Sequence, residues 1–359
     1  MESVLSGLSE QAIAARAAGR SLLIRGGGTR LFYGEPLPED DACAWLDMSA
    51  YRGVVDYQPS ELVLRARAGT PLAEIEALLD GEDQMLAFEP PRFGRGDTLG
   101  GCVATGLSGP RRIAAGAVSD YVLGTRLMNA EGKVMHFGGE VMKNVAGYDV
   151  SRLLVGSLGT LGPLVEVSVK VVPRPWRETT LVLALDEAAA LRRCTRWRSQ
   201  PIPVSATAWL PDGRLSVRLS GNESAVRAGA EKIGGEVLDL AAARAFWLGL
   251  RDQTHDFFEQ RPLWRVTLPP GTPSLGFGRE LHEWQGCLRW LAGTHDPVAL
   301  RARVRGMGGW ASLYRRNGAL DVSPVFHPPT PAVMRVQQRL KQQFDPTGVF
   351  NRHRLYPGF

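Results

Sequence analysis

The sequence predicts an α+β fold, and three observations carry that expectation. Short apolar runs separated by turns fill the first half of the chain without the regular strand–helix–strand alternation of a parallel sheet. The turn Asn129-Ala130-Glu131-Gly132 joins two of these runs as a hairpin. Glycine, 41 of 359 residues, falls at the exits of strands and not inside helices.

The elements follow in order. A first helix is expected from Ser9 to about Ala18, with Ser9 as N-cap and Gly19 as terminator. The apolar run Ser21-Leu22-Leu23-Ile24-Arg25 is a strand, and further strands are expected over 62–68, 121–128, 133–137 and 164–172. A helix over 71–79 begins with Thr70 as N-cap, Pro71 at N1 and Glu74 at N3. In Val172-Pro173-Arg174-Pro175, two prolines stop any regular element and mark a boundary. Three zones result: 1–173, rich in glycine; 174–325, holding most of the tryptophans; and 326–359, with one amphipathic helix and a tail.

Composition excludes several classes. With 44% hydrophobic and 22% charged residues, a packed core is expected and disorder is not. The 42 basic and 37 acidic residues are scattered, so the net charge of +5 marks no nucleic-acid arm. No apolar run approaches the roughly 18 residues of a membrane span. MESVLSGLSEQ lacks the features of a secretory signal, so a cytoplasmic enzyme is expected. Cys43, Cys102, Cys194 and Cys287 form no CxxC, which argues against a disulfide framework or an iron–sulfur cluster on this chain. The six histidines show no HExxH and no pair at helical spacing, so no metal site is expected.

Three glycine-lined corners carry the chemistry. In Arg25-Gly26-Gly27-Gly28-Thr29-Arg30, consecutive glycines can turn several backbone N–H groups toward one point. Such a nest suits a phosphate or pyrophosphate; Thr29 offers a hydroxyl, and Arg25 or Arg30 adds positive potential. The plainer alternative is a tight turn. Neither GxGxxG nor a P-loop lysine is present. The second corner runs from Asp97 through Thr98, Gly100, Gly101 and Ala104 to Gly106, where small residues let backbone approach a flat ligand; its alternative is a packing crossover. The third joins Lys143-Asn144-Val145-Ala146-Gly147-Tyr148-Asp149 to the Gly156–Gly162 stretch. Together they suggest an extended dinucleotide-like cofactor.

The order RGGGT, Thr-Pro-capped helix, TLGG, KNVAGYD and GSLGTLG resembles the flavin-binding domain of the vanillyl-alcohol oxidase and p-cresol methylhydroxylase superfamily. The tail Phe344-Asp345-Pro346-Thr347-Gly348-Val349-Phe350-Asn351 is similar to that superfamily's terminal motif. Within it the chain resembles, over its whole length, the FAD-binding E-subunit family of bacterial glycolate oxidases, including Glu283 to Leu291 and the closing Asn351-Arg352-His353-Arg354. The resemblance implies a two-subdomain FAD domain, a smaller α+β cap, and a C-terminal segment returning to the FAD domain. It places Gly26, Gly27, Gly28 and Thr29 at the FAD pyrophosphate, and Thr98, Gly100, Gly101 and Ala104 along the ribityl chain and flavin edge. Val165 would offer backbone groups to the isoalloxazine. Thr29 stands where covalent members often have a histidine, so the FAD is expected to be non-covalent.

The implied function is oxidation of glycolate, or a similar 2-hydroxy acid, to the 2-oxo acid. Electrons would pass through a second, larger FAD subunit and an iron–sulfur subunit, with the membrane reached only through that complex. The related D subunit would do the chemistry with clustered histidines and a metal, a pattern from which this chain departs. His255, His282, His295 and His327 are dispersed and expected to be packing or surface residues. Arg265, Arg289 and Arg315 are candidate carboxylate clamps, and no catalytic base is identified. Two alternatives stand beside this reading: a self-sufficient FAD oxidase of a small alcohol or 2-hydroxy acid, and an assembly subunit without catalysis.

Overall fold

The structure, a computed structural model, describes residues 1–38, 43–139, 149–318 and 324–359. Lys143 to Tyr148, the start of the third predicted corner, lie outside the described residues.

Two antiparallel sheets organise the chain. The first has five strands in the order Val54–Gln58, Val63–Arg67, Leu164–Lys170, Val122–Met128, Val134–Gly138. Its central strand, LVEVSVK, is apolar and β-branched on one face and buried along nearly its whole length, as a middle strand covered on both sides must be. The Asn129–Gly132 turn closes the predicted hairpin, with Asn129 Oδ1 accepting from the N–H groups of Glu131 and Lys133. Against the inner face lies helix Leu72–Asp80, which buries Leu72, Ile75 and Leu79 on one side.

The second sheet has eight strands and runs from Arg177 to Arg315 in sequence. In spatial order its last four strands are Glu280–Glu283, Leu288–Ala292, Leu263–Thr267 and Trp310–Arg315. Trp247, Trp284 and Trp290 from this half pack into one apolar cluster with Tyr33, Leu107 and Leu158 from the first. Trp176 is instead almost fully solvent-exposed. A small parallel pair, Ser21–Arg25 with Cys43–Asp47, is extended by the C-terminal segment, where Leu22 bridges Phe350 in parallel.

Three local expectations are corrected. The first helix spans Glu2–Ala17, so Ser9 lies inside it, and its hydroxyl donates to the Gly132 carbonyl at 3.0 Å instead of capping. Helix Leu72–Asp80 has Pro71 at the N-cap position, because the Thr70 hydroxyl is spent on the Arg67 carbonyl and the Gly53 N–H. The second glycine corner is a short helix, Leu99–Thr105, capped by Thr98 and ended by Gly106 in the left-handed region. Glycine is required inside that helix by packing: a Cβ on Gly100 would stand 2.7 Å from the Ala68 Cβ.

Candidate functional site: a glycine-lined cleft and an arginine–tryptophan centre

Strand Ser21–Arg25 delivers the chain directly into Gly26-Gly27-Gly28-Thr29-Arg30. The five consecutive N–H groups of this loop donate to no acceptor among the described residues. The three glycines are needed for different reasons. A Cβ on Gly27 would lie 1.8 Å from the Gly96 carbonyl oxygen, and one on Gly26 would lie 2.4 Å from Thr98 Oγ1. Gly28 adopts φ +73°, a left-handed turn that disfavours any side chain although a Cβ would meet only Leu31 Cδ1 at 3.7 Å.

The loop forms one wall of a cleft with about 840 Å³ of space, open to solvent. Thr98, Gly100, Gly101 and Ala104 of the adjacent helix form the facing wall, and Gly159 and Pro163 the end. The structure thus brings Gly26, Gly27, Gly28, Thr29, Thr98, Gly100, Gly101 and Ala104 to one cleft. Val165 is not among its lining residues: its side chain is fully buried, and its carbonyl accepts from the Ala68 N–H at 2.8 Å. Its neighbours Pro163 and Leu164 line the cleft in its place.

The cations of the loop are already paired. Arg25 bridges Asp47 at 2.8 Å, and Arg30 donates to the Pro91 carbonyl and pairs with Asp97 at 3.3 Å. The Thr29 hydroxyl donates to the same Asp97 carboxylate. An anion here would therefore meet backbone amides more than free guanidinium.

The C-terminal segment reaches the cleft through Asn351 and Arg354, residues that sequence reading did not assign to the site. Asn351 sits at φ +44°; its Oδ1 accepts from the Ile24 N–H at 2.7 Å and its Nδ2 donates to the Leu158 carbonyl at 2.5 Å. Buried Lys341 holds this segment from below, donating to the Thr160 and Phe350 carbonyls and pairing with Asp345 at 2.7 Å. The buried Arg354 guanidinium donates to the carbonyls of Leu31, Tyr33 and Glu35, and burial pulls it down to about 10.

A second centre lies beyond Tyr33, which lines the cleft and packs in the same cluster as Trp284 and Trp290. The Arg112 and Arg265 guanidinia lie over the Trp284 ring, 4.6 and 5.3 Å from its centroid. Arg265 also reaches the Trp290 ring at 5.9 Å, and the Trp290 Nε1–H donates to Glu283 at 2.8 Å. Burial pushes the Glu283 carboxyl up to about 7, against the hydrogen bond from Trp290 and the charge of Arg265. Arg112 is pulled down by burial and by the like charge of Arg265.

The other two arginines singled out from sequence have different roles. Arg289 is fully buried and donates to the carbonyls of Thr272, Pro273 and Gly286, so it is a structural tie. Arg315 stacks 3.3 Å from the Phe32 ring centroid and donates to Gln253. One trio of potential metal ligands does come together: His282, buried, lies 2.9 Å from Glu280 and 3.5 Å from Glu187. Glu280 and His282, two apart on one strand, project to the same side, and helix Glu187–Trp197 starts over them.

Comparison with known proteins gives this geometry a family. Residues 8–138 match the FAD binding domain family. Over 337 residues the chain is 43% identical to the glycolate oxidase subunit GlcE of Escherichia coli (strain K12), covering 93% of this chain and 92% of that protein. The chain belongs to the GlcE family of glycolate oxidase subunits. With that membership come the cofactor, FAD, and the class, an oxidoreductase acting on CH–OH donors. The GlcE-type chain is also 42% identical to the glycolate oxidase subunit GlcD of Bacillus subtilis (strain 168), over 30% of this chain and 23% of that one. Among solved structures, alkyldihydroxyacetonephosphate synthase superposes with a TM-score of 0.66 at 15% identity, covering 95% of this chain and 73% of the other, which establishes a shared fold. No helix among the described residues is long and apolar enough to cross a membrane.

Proposed function

We propose that this chain is the FAD-carrying E subunit of a glycolate oxidase complex that oxidises glycolate to glyoxylate. The observation that carries the reading is the run of five unpartnered N–H groups from Gly26 to Arg30 along a cleft walled by Thr98, Gly100, Gly101 and Ala104. Gly26, Gly27, Gly28 and Thr29 would hold the FAD pyrophosphate, because amides aimed at one point bind anions without a cation's desolvation. Thr98, Gly100, Gly101 and Ala104 would flank the rest of the cofactor, their small side chains admitting a flat ligand. Among the described residues that line the cleft none is His or Cys, which supports non-covalent FAD. Bound FAD supplies the hydride acceptor.

The division of the chain into 1–173, 174–325 and 326–359, with the last part serving the cofactor cleft, belongs to this proposal. So do the partners: a larger FAD subunit and an iron–sulfur subunit, with a cytoplasmic location at the inner face of the cell membrane through them. Four dispersed cysteines, three of them buried, support placing any cluster on another chain. Purification of the chain alone, followed by absorbance between about 350 and 500 nm after removal of loose flavin, tests the cofactor assignment. One FAD per chain, released intact by denaturation, is expected. A chain free of flavin after reconstitution overturns it. Bleaching by glycolate without oxygen would show catalysis by this subunit itself, and an unbleached flavin would assign the oxidation to a partner.

A further inference from the structure

Arg112 and Arg265 pose a physical problem that the cofactor cleft does not explain. Both guanidinia are half-buried, both lie over one indole, and neither has an ion pair or side-chain hydrogen bond among the described residues. A guanidinium presents five N–H donors in a plane, and an aromatic face satisfies none of them. Two like charges held over one ring, their donors still open to solvent, concentrate positive potential there. Nearby acids act on them only through space, Asp120 on Arg112 and Glu283 on Arg265, and neither forms an ion pair with them among the described residues. The Glu283 carboxyl accepts from Trp290, and burial favours its neutral form, while Asp120 accepts from the Ala117 N–H at 2.8 Å.

The corner itself is held in an unusual state. Trp284 and Gln285 both have left-handed backbones, at φ +53° and +57°. Trp284 Nε1–H donates to the Gly109 carbonyl at 2.9 Å, and the Gln285 N–H donates to Thr207 Oγ1 at 2.8 Å. Two consecutive non-glycine residues in this region cost free energy and persist only when their surroundings fix them. The Trp284–Gly109 hydrogen bond fixes the indole against the segment leaving the cleft-lining helix, three residues before Arg112. Tyr33, which lines the cleft, feels the Arg265 charge at its hydroxyl.

We infer that Arg112 and Arg265, both held over Trp284, form a receptor for a small carboxylate in this subunit, built from two guanidinia and an indole with no histidine in the cluster. Taking the ligand to be the 2-hydroxy acid rests on the proposed function; the receptor rests on the unpaired guanidinia gathered over Trp284. Its charge selects the carboxylate over a neutral isostere. Arg112 comes from the first half of the chain and Arg265 from the eight-stranded sheet, so the receptor exists only when the two halves are docked.

The purified chain is titrated calorimetrically with glycolate, oxalate and neutral glycolamide, and FAD content is measured on the same samples. Saturable binding of the two carboxylates and none of glycolamide is expected. Arg112→Gln and Arg265→Gln should each weaken binding tenfold or more with FAD content unchanged, Arg265→Lys should keep part of it, and Trp284→Phe should abolish the tryptophan-fluorescence change on binding. If either glutamine variant fails to fold, the glycolate–glycolamide contrast and the Trp284→Phe signal decide. No carboxylate binding by the wild type, or binding unchanged in both glutamine variants, overturns the receptor and leaves the FAD reading intact. Carboxylate binding through these arginines in a chain that takes up no FAD supports the receptor and overturns the cofactor assignment instead.

Discussion

Gly27 and Glu283 are the residues on which single atoms decide most. A methyl group at Gly27 would overlap the Gly96 carbonyl oxygen at 1.8 Å, so Gly27→Ala must push the glycine loop off the Gly96 backbone, two residues before cleft-lining Thr98. Loss of FAD retention is expected, with destabilisation of about 1–3 kcal/mol from overpacking, read by flavin absorbance and denaturant melts. Glu283 faces Arg265, Trp290 and the charge of Glu89. Its folded pKa, about 7, stands above the ordinary carboxylate value, so the folded chain binds more protons than the unfolded chain between those two values. Stability contributed by the neutral carboxyl is therefore present at acid pH and lost as pH rises toward 7, by roughly 3 kcal/mol in all. Glu283→Gln, an isosteric neutral group, should flatten that part of the stability–pH profile.

At the scale of elements, the short helix Leu99–Thr105 and the C-terminal tail are the two pieces that give the cleft its shape. Thr98 caps the helix by accepting from the Gly101 N–H at 3.2 Å. Thr98→Ala should cost about 1 kcal/mol and weaken FAD retention, since the cap sits on the cleft wall. The tail depends on Lys341, whose ammonium is the only cation paired with the buried Asp345 among the described residues. Lys341→Met leaves that carboxylate uncompensated, and a loss of about 3–5 kcal/mol is expected in chemical denaturation. Local opening of 345–351, read by hydrogen exchange at Leu22 and Ile24, should accompany it.

Across the whole molecule, the two halves are joined by an apolar cluster and by a buried ion network. Glu89, from the first half, pairs with Arg218 of the eight-stranded sheet at 2.9 Å and with Arg111 at 3.5 Å, and Glu178 closes the network on Arg111 at 2.5 Å. Burial alone would raise the Glu89 carboxyl, but the two arginines outweigh it and hold it below its usual range. The network thus fixes how the halves meet, and with it the spacing between the cofactor cleft and the Arg112–Arg265 pair. Ligand linkage gives a direct check of the cleft: FAD at about 1,000 times its Kd should add about 4 kcal/mol of stability, visible as a raised Tm in the wild type and absent in Gly27→Ala.

The sequence by itself determined the fold class, four of the five strands of the first sheet (Val54–Gln58 was missed), the hairpin at Asn129–Gly132, and the glycine-rich stretches that wall the cleft. These are local properties: periodicity, turn chemistry and the conformational freedom of glycine are written in consecutive residues. It misplaced Ser9 and Thr70 as caps because both hydroxyls are claimed elsewhere, Ser9 by the distant Gly132 carbonyl and Thr70 by the neighbouring Arg67 carbonyl and the Gly53 N–H. It read Leu99–Thr105 as loop because paired glycines lower helix propensity, and only the proximity of Ala68 shows why they are there. Val165 looked available because strand position does not reveal that Ala68 takes its carbonyl. Arg265 could be singled out but not told apart from Arg289 or Arg315, since the difference lies in which carbonyls surround each guanidinium. The Arg112–Trp284–Arg265 centre was decided by tertiary structure alone. Arg112 lies more than 150 positions from Arg265 and Trp284, and charges that distant in sequence become neighbours only when the two halves dock.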